Sequence, residues 1–359
     1  MPTEAIRPVS EGDQPALAEL ERACPQGTRL LLHTEREDYL FRSRLYPASR
    51  TMVAVDVKSG RLIGVMGAAL KELLLAGAPR KLAFFYDLRV HPDYRTSLQV
   101  RHMLRIWNLL EQWARDNGAA AIVGFVKDDK EPMIGLREHR DEWSFAAKMC
   151  VISRSVHRRL SVGVEPAEAR LDDGGETIAR EVEREYGRRE LFPECFGRRY
   201  LTEEMQKSGL FSAWTAEAGG SFASVGIYKH HRAVRMRVLR LPPLYRFARP
   251  LLNAAGTLLP LPRIPAPGDT VRSCILFNHI ARGPDGTRLW RELVRHANNV
   301  ALADGATLLS SAFDSTDGFL PLFARGALNR IDYRLGINTL GAAPLRSLTP
   351  FYPDVRDMD

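Results

Sequence analysis

A strand that passes through a short turn into a helix, at residues 81–104, constrains the fold more than any other part of the sequence. Residues 82–90 form an apolar run with the length of a buried strand. A polar turn with Pro92 follows, and from residue 97 to residue 117 apolar side chains recur along one helical face. Such a turn leaves the first N–H groups of the helix unpaired and facing outward. We therefore predict an anion-binding site at the start of this helix.

A second buried strand is predicted directly after this helix. Gly118 ends the helical pattern, and residues 119–126, AAAIVGFV, are apolar. A strand, a crossover helix and a following strand form a βαβ unit, in which the two strands run parallel. Ligands of such sheets bind at the carboxyl ends of the strands. The sequence thus predicts a ligand site where these two strands end.

The residues from Tyr86 to Arg95, YDLRVHPDYR, resemble the central strand and turn of the GNAT acyltransferase superfamily. In that family the strand edge pairs with the pantetheine arm of acetyl-CoA, and backbone amides of the turn wrap its diphosphate. Residues 6–20 resemble the first strand and helix of the same fold, and residues 52–70 resemble its second and third strands. The resemblance implies an α/β (α+β) fold: a mixed, mostly antiparallel twisted sheet with a central parallel βαβ unit flanked by helices.

The resemblance also implies an acyl-CoA, acetyl-CoA or a longer one, as co-substrate. Leu98 and Val100 stand where the family has glycines, whose missing Cβ lets phosphate oxygens approach the backbone. Arg95 and Arg101 carry forked guanidinium groups that suit CoA phosphates, and the alternative is that they are ordinary surface cations. The positions that the resemblance assigns to the cofactor are Leu88, Arg89, Val90, Arg95, Thr96, Ser97, Leu98, Gln99, Val100, Arg101 and Asp128.

Acyl transfer to an amine requires removal of an ammonium proton and polarisation of the thioester carbonyl. The resemblance assigns the polarising group to a backbone N–H between Leu88 and Val90. Asp87 is the candidate base, because burial would raise the pKa of its carboxyl toward the working pH. The alternative is a structural carboxylate bonded to the backbone or to Arg89. Tyr86 is a candidate acid for the leaving thiolate, with ordinary strand packing as the alternative.

An internal repeat indicates a second, related domain. The strand, Pro-Asp turn, Trp-bearing helix, glycine and apolar strand of residues 82–130 recur from residue 273, and residues 301–322 line up with residues 113–134. We predict two tandem GNAT-like domains, 1–160 with the acyl-CoA site and 161–359 with a degenerate one. The region of the second domain that is equivalent to the site is expected to be structural or substrate-binding, and it contains Asn278, His279, Asp285 and Thr287.

The segment between the two repeats carries weaker signals. Its spacing predicts a helix at 171–186, a hairpin of 211–215 with 222–228, and a strand at 234–241. The Pro-rich stretch 242–268 is predicted to be either an irregular surface insertion or a partly apolar cover for a pocket.

The net charge and the cysteine spacing limit the possible location and metal content of the protein, but they do not identify its partner. The formal charge of +8 is compatible with nucleic acid, an anionic membrane or a phosphorylated cofactor. No signal-peptide core or membrane-length apolar run is present in the sequence, so we expect a cytoplasmic protein. No metal site is predicted, because the four cysteines are widely spaced and make no CxxC pair. They are Cys24, Cys150, Cys195 and Cys274.

The sequence therefore favours an acyl-CoA-dependent N-acyltransferase, first of all an N-acetyltransferase, that acts on a primary amine of a small molecule or peptide. No nucleic acid or membrane partner is expected. Two alternatives stay open. The first is a tandem GNAT-like module that has lost catalysis and serves binding or regulation, which Leu98 and Val100 favour. The second is acyl transfer from the thioester of an acyl carrier protein.

Overall fold

A computed structural model of the chain describes residues 4–27, 30–95, 100–128, 143–169, 175–193, 208–255, 262–343, 345 and 347–358. The strands are β1 Glu4–Pro8, β2 Leu31–Arg36, β3 Ala48–Asp56, β4 Leu62–Leu75, β5 Ala78–Val90, β6 Ala121–Lys127, β7 Trp143–Ser155, β8 Ala167–Glu168, β9 Phe211–Ala218, β10 Ser221–Tyr228, β11 Val234–Arg240, β12 Thr270–Val271, β13 Ser273–Arg282, β14 Leu308–Asp314 and β15 Asn329–Asn338. The α-helices are α1 Gln14–Ala23, α2 Phe41–Arg44, α3 Val100–Asp116, α4 Gly175–Tyr186, α5 Pro243–Ala255, α6 Gly286–Ala303 and α7 Leu320–Phe323.

Twelve of the described strands form one sheet, in the order β1-β3-β4-β5-β6-β15-β7-β14-β13-β10-β9-β8. Two pairs of strands are parallel, β5 with β6 and β13 with β14, and the other paired strands of the sheet are antiparallel. The helices α3 and α6 are the crossovers of these two βαβ units. The predicted class, a mixed and mostly antiparallel sheet with central parallel βαβ units, is confirmed.

Each crossover helix buries one apolar face against its half of the sheet. On α3 this face includes Ile106 and Leu110, and on α6 it includes Leu289 and Leu293, all fully buried. Burial of each such side chain stabilises the fold by about 1.5–3 kcal/mol. Gly118, with φ of 76°, follows the end of α3 in the left-handed conformation that terminates many helices.

The two halves exchange a strand at the centre of the sheet. β15, from the C-terminal part of the chain, lies between β6 and β7 and pairs with both. β7, which follows β6 in sequence, pairs on its other side with β14 of the second half. The predicted boundary between residues 160 and 161 falls after β7, so each side of that boundary contributes a strand to the middle of the sheet.

A second, smaller sheet also joins the halves. Its order is β12-β11-β2, and β2 comes from a stretch that the sequence analysis left without secondary structure. Two ion pairs connect its strands and their ends, Arg237 with Glu35 at 2.6 Å and Arg235 with Glu37 at 2.7 Å. The N-terminal helical region is thereby fixed to the C-terminal half.

The Pro-rich segment is not irregular over its first half, because residues Pro243–Ala255 form helix α5. Pro243 occupies the first helical position, where a missing N–H leaves no intrahelical hydrogen bond unmade. Among the described residues, no helix is long and apolar enough to cross a membrane.

Separation of the halves at residue 160 is expected to unfold both. A fragment of residues 1–160 would lack β15 and β14, so β6 would lose one neighbour and β7 would lose both. Unpaired backbone groups in a buried sheet are strongly unfavourable. We expect the fragment to show no cooperative thermal transition by circular dichroism, and co-expression with fragment 161–359 to restore one. A cooperative transition in fragment 1–160 alone would contradict the strand exchange.

Candidate active site

The two parallel strands of the first βαβ unit pair only over a short distance. Residues 82–84 of β5 pair with residues 121–123 of β6. Beyond these pairs β5 continues to Val90 and β6 to Lys127, and no strand pairing joins residues 85–90 to residues 124–127, all of which are described. The two strands therefore part after Phe84, near the carboxyl ends where the βαβ pattern predicts a ligand site, and we call this parting the opening.

A bulge in β5 lies at the start of this opening. Tyr86 pairs with Gly67 of β4 and Arg89 pairs with Val65, so that an extra residue is present on β5 between these pairs. Asp87 has a φ of 53°, a left-handed conformation that aspartate tolerates better than most residues. Gly67 is required opposite the bulge, because a Cβ there would lie 2.5 Å from the ring of Tyr86. The bulge takes Asp87 out of regular pairing with β4.

The second half repeats both features. β13 and β14 pair over Ser273–Leu276 and Leu308–Ser311 and then part. The pairing of β13 with β10 is irregular at Asn278, which has the same φ of 53° as Asp87. The glycine opposite has the same role, since a Cβ on Gly226 would lie 2.5 Å from the ring of Phe277. Gly67, Tyr86 and Asp87 of the first half thus correspond to Gly226, Phe277 and Asn278 of the second.

In the second half, hydrogen bonds from two tyrosine side chains reach the residues at the bulge. Tyr352, close to the C-terminus, donates a hydrogen bond to Asn278 Oδ1 at 2.6 Å. Tyr186 of α4 donates one to the carbonyl oxygen of His279 at 2.5 Å. The crevice that remains among these residues has a volume of only ≈ 10 Å³, about enough for one water molecule. Among the described residues of this half, the space beside the bulge is therefore occupied by the protein's own side chains.

His279 is part of the same region and is held by a chain of hydrogen bonds. Trp290 Nε1 can only donate, so His279 Nδ1 accepts its bond at 3.1 Å and Nε2 carries the proton, which it donates to Ser311 Oγ at 2.7 Å. Ser311 in turn donates to the carbonyl of Leu276 at 3.0 Å. Burial lowers the pKa of His279 to about 4, so the ring is neutral at pH 7. Asn278 and His279 therefore both have internal partners.

In the first half, Asp87 lies in a buried group of opposite charges. Arg36, the last residue of β2, donates two hydrogen bonds to its carboxylate, Nη1 to Oδ2 at 3.1 Å and Nη2 to Oδ1 at 3.0 Å. Arg42 of α2 lies 3.5 Å from Oδ1, and the Asp87 side chain is only 6% exposed. This geometry favours the alternative of a structural carboxylate, with Arg36 as the main partner.

Arg89 has a different partner from the one considered in that alternative. Its Nη2 lies 2.6 Å from Glu21 Oε1 of α1, and the same carboxylate oxygen accepts a hydrogen bond from Arg36 at 3.1 Å. Glu21 and Asp87 thus share Arg36, and all these side chains are buried. The arginines that surround Asp87 were not identified from the sequence, because no local pattern links residues 36 and 42 to residue 87.

Tyr86 is packed in an aromatic group. Its ring is stacked on Phe84 with centroids 5.9 Å apart, and its hydroxyl lies 2.9 Å from Ser43 Oγ. Burial raises the pKa of Tyr86 above its ordinary value, so it is protonated at neutral pH. These contacts favour the packing alternative, and its role as an acid stays a prediction.

The described cofactor candidates lie in two places, on or after the end of β5 and at the end of β6. The carbonyl oxygen of Val90 accepts bonds from Cys24 Sγ at 3.1 Å and from Arg95 Nε at 3.0 Å, so Arg95 lies at the end of β5. Asp128, at the end of β6, forms an ion pair with Arg334 of β15, and its backbone N–H donates to the carbonyl of Asp332. Leu88 packs partly buried against the core beneath α3.

The remaining cofactor candidates belong to the turn itself. Thr96, Ser97, Leu98 and Gln99 lie outside the described residues. Val100 and Arg101 belong to the first turn of α3, where only their backbone is described. In the part of the chain that the structure covers, no group of three or more His, Cys, Asp or Glu side chains could hold a metal ion.

A second buried ion group connects the C-terminal segment to the first half and was also missed in the sequence. Lys71 of β4 lies 2.5 Å from Asp354 Oδ2 and 2.8 Å from Asp357 Oδ2, and Asp354 also pairs with Arg356. Burial opposes ionisation of Asp354, but Arg356 and Lys71 hold its pKa below the ordinary value. The same Lys71 lies over the ring of Phe84, where the opening begins.

Comparison with known sequences gives one partial match. No family model matches the chain. An acetyl transferase of Oryza sativa subsp. japonica, named GW6a, is 33% identical over 112 residues, which are 30% of this chain and 26% of that protein. The chain thus spans about a quarter of the length of the curated relative that it matches.

Comparison with solved structures shows the fold. A Saccharomyces cerevisiae N-myristoyltransferase with bound myristoyl-CoA matches 99% of this chain and 84% of its own, with a TM-score of 0.62 and 9% identity. A GCN5-related N-acetyltransferase from Sphaerobacter thermophilus matches with a TM-score of 0.57 and 15% identity over 97% of this chain and 99% of its own. A tandem GNAT protein from the clavulanic acid biosynthesis pathway matches with a TM-score of 0.58 and 12% identity over 95% of this chain and 100% of its own. The chain has the tandem GNAT fold, as the resemblance implied.

Replacement of Asp87 by Asn is expected to destabilise the protein strongly. The change would leave the buried Arg36 and Arg42 without this carboxylate, and removal of one partner of a buried ion pair typically costs about 3–5 kcal/mol. Urea denaturation measures the loss in free energy of unfolding. Asp93→Asn is the matched control, because Asp93 is 71% exposed and its change should stay within about 0.5 kcal/mol. Equal stabilities of the two variants would contradict the structural role of Asp87.

Proposed function

We propose that the protein is an acyl-CoA-dependent N-acyltransferase that uses the first of its two openings. The observation that carries the proposal is the parting of β5 and β6 after Phe84, next to the bulge at Asp87. Parallel strands that part at their carboxyl ends expose backbone N–H and C=O groups, to which an extended amide chain such as pantetheine can bond. An acyl-CoA would supply the activated thioester, and the helix that begins after the turn would favour its diphosphate.

The difference between the halves supports this assignment. Both halves have a bulge and a parting pair of strands. The bulge residue of the first half pairs with the cations Arg36 and Arg42, whereas that of the second bonds to the neutral hydroxyl of Tyr352, so the first half carries positive charge at this position. The C-terminal segment that contacts the second bulge also pairs with Lys71 of the first half. We infer that the second half contributes structure and part of the acceptor site, and that one acyl-CoA binds per chain.

The roles of the protein's groups follow from the requirements of acyl transfer. Backbone N–H groups of Leu88 to Val90 would polarise the thioester carbonyl, which needs no particular side chain. Arg95 and the amides from Thr96 to Arg101 would bind the diphosphate. Asp87 stays the candidate base, and Tyr86 the candidate acid for the thiolate. Because Asp87 is paired with two arginines, transfer of the ammonium proton to it requires that one of these pairs loosen.

The relatives indicate which acyl groups and acceptors should be tested first. The rice relative is an acetyl transferase, and the yeast structure contains myristoyl-CoA, so acyl chains from acetyl to myristoyl are the range to test. A primary amine of a small molecule or a peptide is the proposed acceptor. The same fold also permits an acyl carrier protein as the thioester source.

A catalytically inactive binding module is the second candidate. The observation that favours it is the pairing of Asp87 with Arg36 and Arg42, because a carboxylate held in these ion pairs has a structural role instead of acting as a base. An inactive module that still binds acyl-CoA and an active enzyme would both respond to the ligand, so turnover separates them. A module that has lost acyl-CoA binding would not respond at all.

Acetyl-, octanoyl- and myristoyl-CoA are expected to raise the melting temperature of the full-length protein to different extents, since a ligand that binds only the native state stabilises it. Arg95→Glu should weaken binding of the best donor about tenfold, which corresponds to about 1.4 kcal/mol. Thermal shifts measured over a range of ligand concentrations give both the rise in melting temperature and the change in affinity.

Arg288→Glu is the matched control for this experiment. Arg288 is exposed near the start of α6, which corresponds to α3 in the second half, and within the described residues its ion-pair partner is the exposed Asp285 at 3.3 Å. The substitution changes the net charge equally and should leave the shift unaltered. Absence of any shift with all three thioesters, or equal loss in the two variants, would argue against the proposed site.

A further inference from the structure

Helix α5 presents its apolar face to solvent. Leu244, Phe247 and Leu251 recur at the spacing of one helical face and are 75%, 82% and 74% exposed. No residue of the helix is buried. A surface helix of a soluble protein ordinarily turns such a face to the core, because burial of its apolar area is what stabilises it. The orientation of α5 therefore needs another explanation.

The side of the helix that carries Arg249 and Asn253 faces the segment that follows it. Asn253 donates a hydrogen bond from Nδ2 to the carbonyl of Ile264 at 3.0 Å and accepts one at Oδ1 from the Ile264 N–H at 2.8 Å. Arg249 Nε donates to the same carbonyl at 3.3 Å. These bonds hold this side against the following segment and fix the apolar side outward. The exposed face is thus a feature of how α5 is anchored.

The region around α5 is strongly basic. Between Glu217 and Asp269 the sequence contains no acidic residue, but it contains Lys229 and seven arginines. Two of these arginines are paired with Glu35 and Glu37 in the small sheet. Others lie on or next to the helix and are largely exposed: Arg240, Arg246 and Arg263.

We propose that α5 is an interfacial helix, whose apolar face inserts into the headgroup region of an anionic lipid bilayer while the surrounding arginines bind the lipid phosphates. An apolar face beside a cluster of arginines complements such a surface in both polarity and charge. The helix has 13 residues and is about 20 Å long, too short to cross a hydrocarbon core of about 30 Å. It lies parallel to the membrane.

The charges also argue against two other occupants of this face. A second copy of the chain would bring two arginine-rich surfaces together, and like charges at an interface weaken it. A nucleic acid would pair with the arginines but would leave Leu244, Phe247 and Leu251 without an apolar partner. The inference does not depend on acyl transfer, because it concerns a surface and not the opening between β5 and β6.

Sedimentation of the full-length protein with large vesicles tests the proposal. We expect binding to phosphatidylcholine vesicles that contain about one third phosphatidylglycerol, and at least about tenfold weaker binding to phosphatidylcholine alone. The double variant Phe247→Glu/Leu251→Glu should lower affinity for the anionic vesicles at least about tenfold. Its melting temperature should be unchanged, because both side chains are exposed.

The double variant Val57→Glu/Leu328→Glu is the matched control. It makes the same change in charge at two apolar side chains that are each 58% exposed and lie outside α5. This control should bind anionic vesicles like the unchanged protein. The proposal is overturned if the unchanged protein does not sediment with anionic vesicles, or if the two double variants lose affinity equally. It is also overturned if Phe247→Glu/Leu251→Glu only dissociates a dimer, as light scattering would show.

Discussion

A bulge in the central strand of each half interrupts regular pairing and lies where the sheet opens. The bulge residue, Asp87 or Asn278, has a left-handed backbone, and a glycine opposite makes room for the neighbouring aromatic ring. Beyond the bulge the strand no longer pairs with its parallel neighbour. The same interruption therefore occurs twice in one sheet, and the partners of the two bulge residues differ. Tyr352 bonds to Asn278 in the second half, whereas the cations Arg36 and Arg42 pair with Asp87 in the first, the half that we propose to bind acyl-CoA.

The two halves are parts of one folded unit. The exchange of β7 and β15, the pairing of β2 with β11 and the buried pairs of Lys71 with the C-terminal segment all cross between them. The chain contains the same βαβ unit twice, and its C-terminal segment contacts the bulge of the second while it pairs with Lys71 beside the first.

Local patterns in the sequence predicted much of this fold, and interactions between distant residues account for what was missed. The strand, turn and helix from Leu82 onward, their repeat from Ser273 and both helix-ending glycines follow from spacing and turn chemistry. The partners of Asp87 could not be predicted, because Arg36 and Arg42 become neighbours of this residue only through the pairing of β2 and the position of α2. The strand β15 was not predicted, and its insertion between β6 and β7 depends on distant residues, since alternation indicates a strand but not its neighbours. The helix in the Pro-rich segment was missed because Pro243 begins it and because Pro250 lies inside it, at a position where proline ordinarily breaks or kinks a helix.

Hydrogen exchange followed by mass spectrometry, with and without acetyl-CoA or the best longer thioester, examines the proposed opening itself. Amides that a pantetheine and diphosphate occupy should exchange more slowly in peptides that cover residues 85–101 and 123–128. Peptides from the equivalent region of the second half, residues 277–287, should be unaffected by the ligand. Slower exchange in the second region, or an unchanged rate in the first at saturating ligand, would contradict the conclusion that the first opening is the acyl-CoA site.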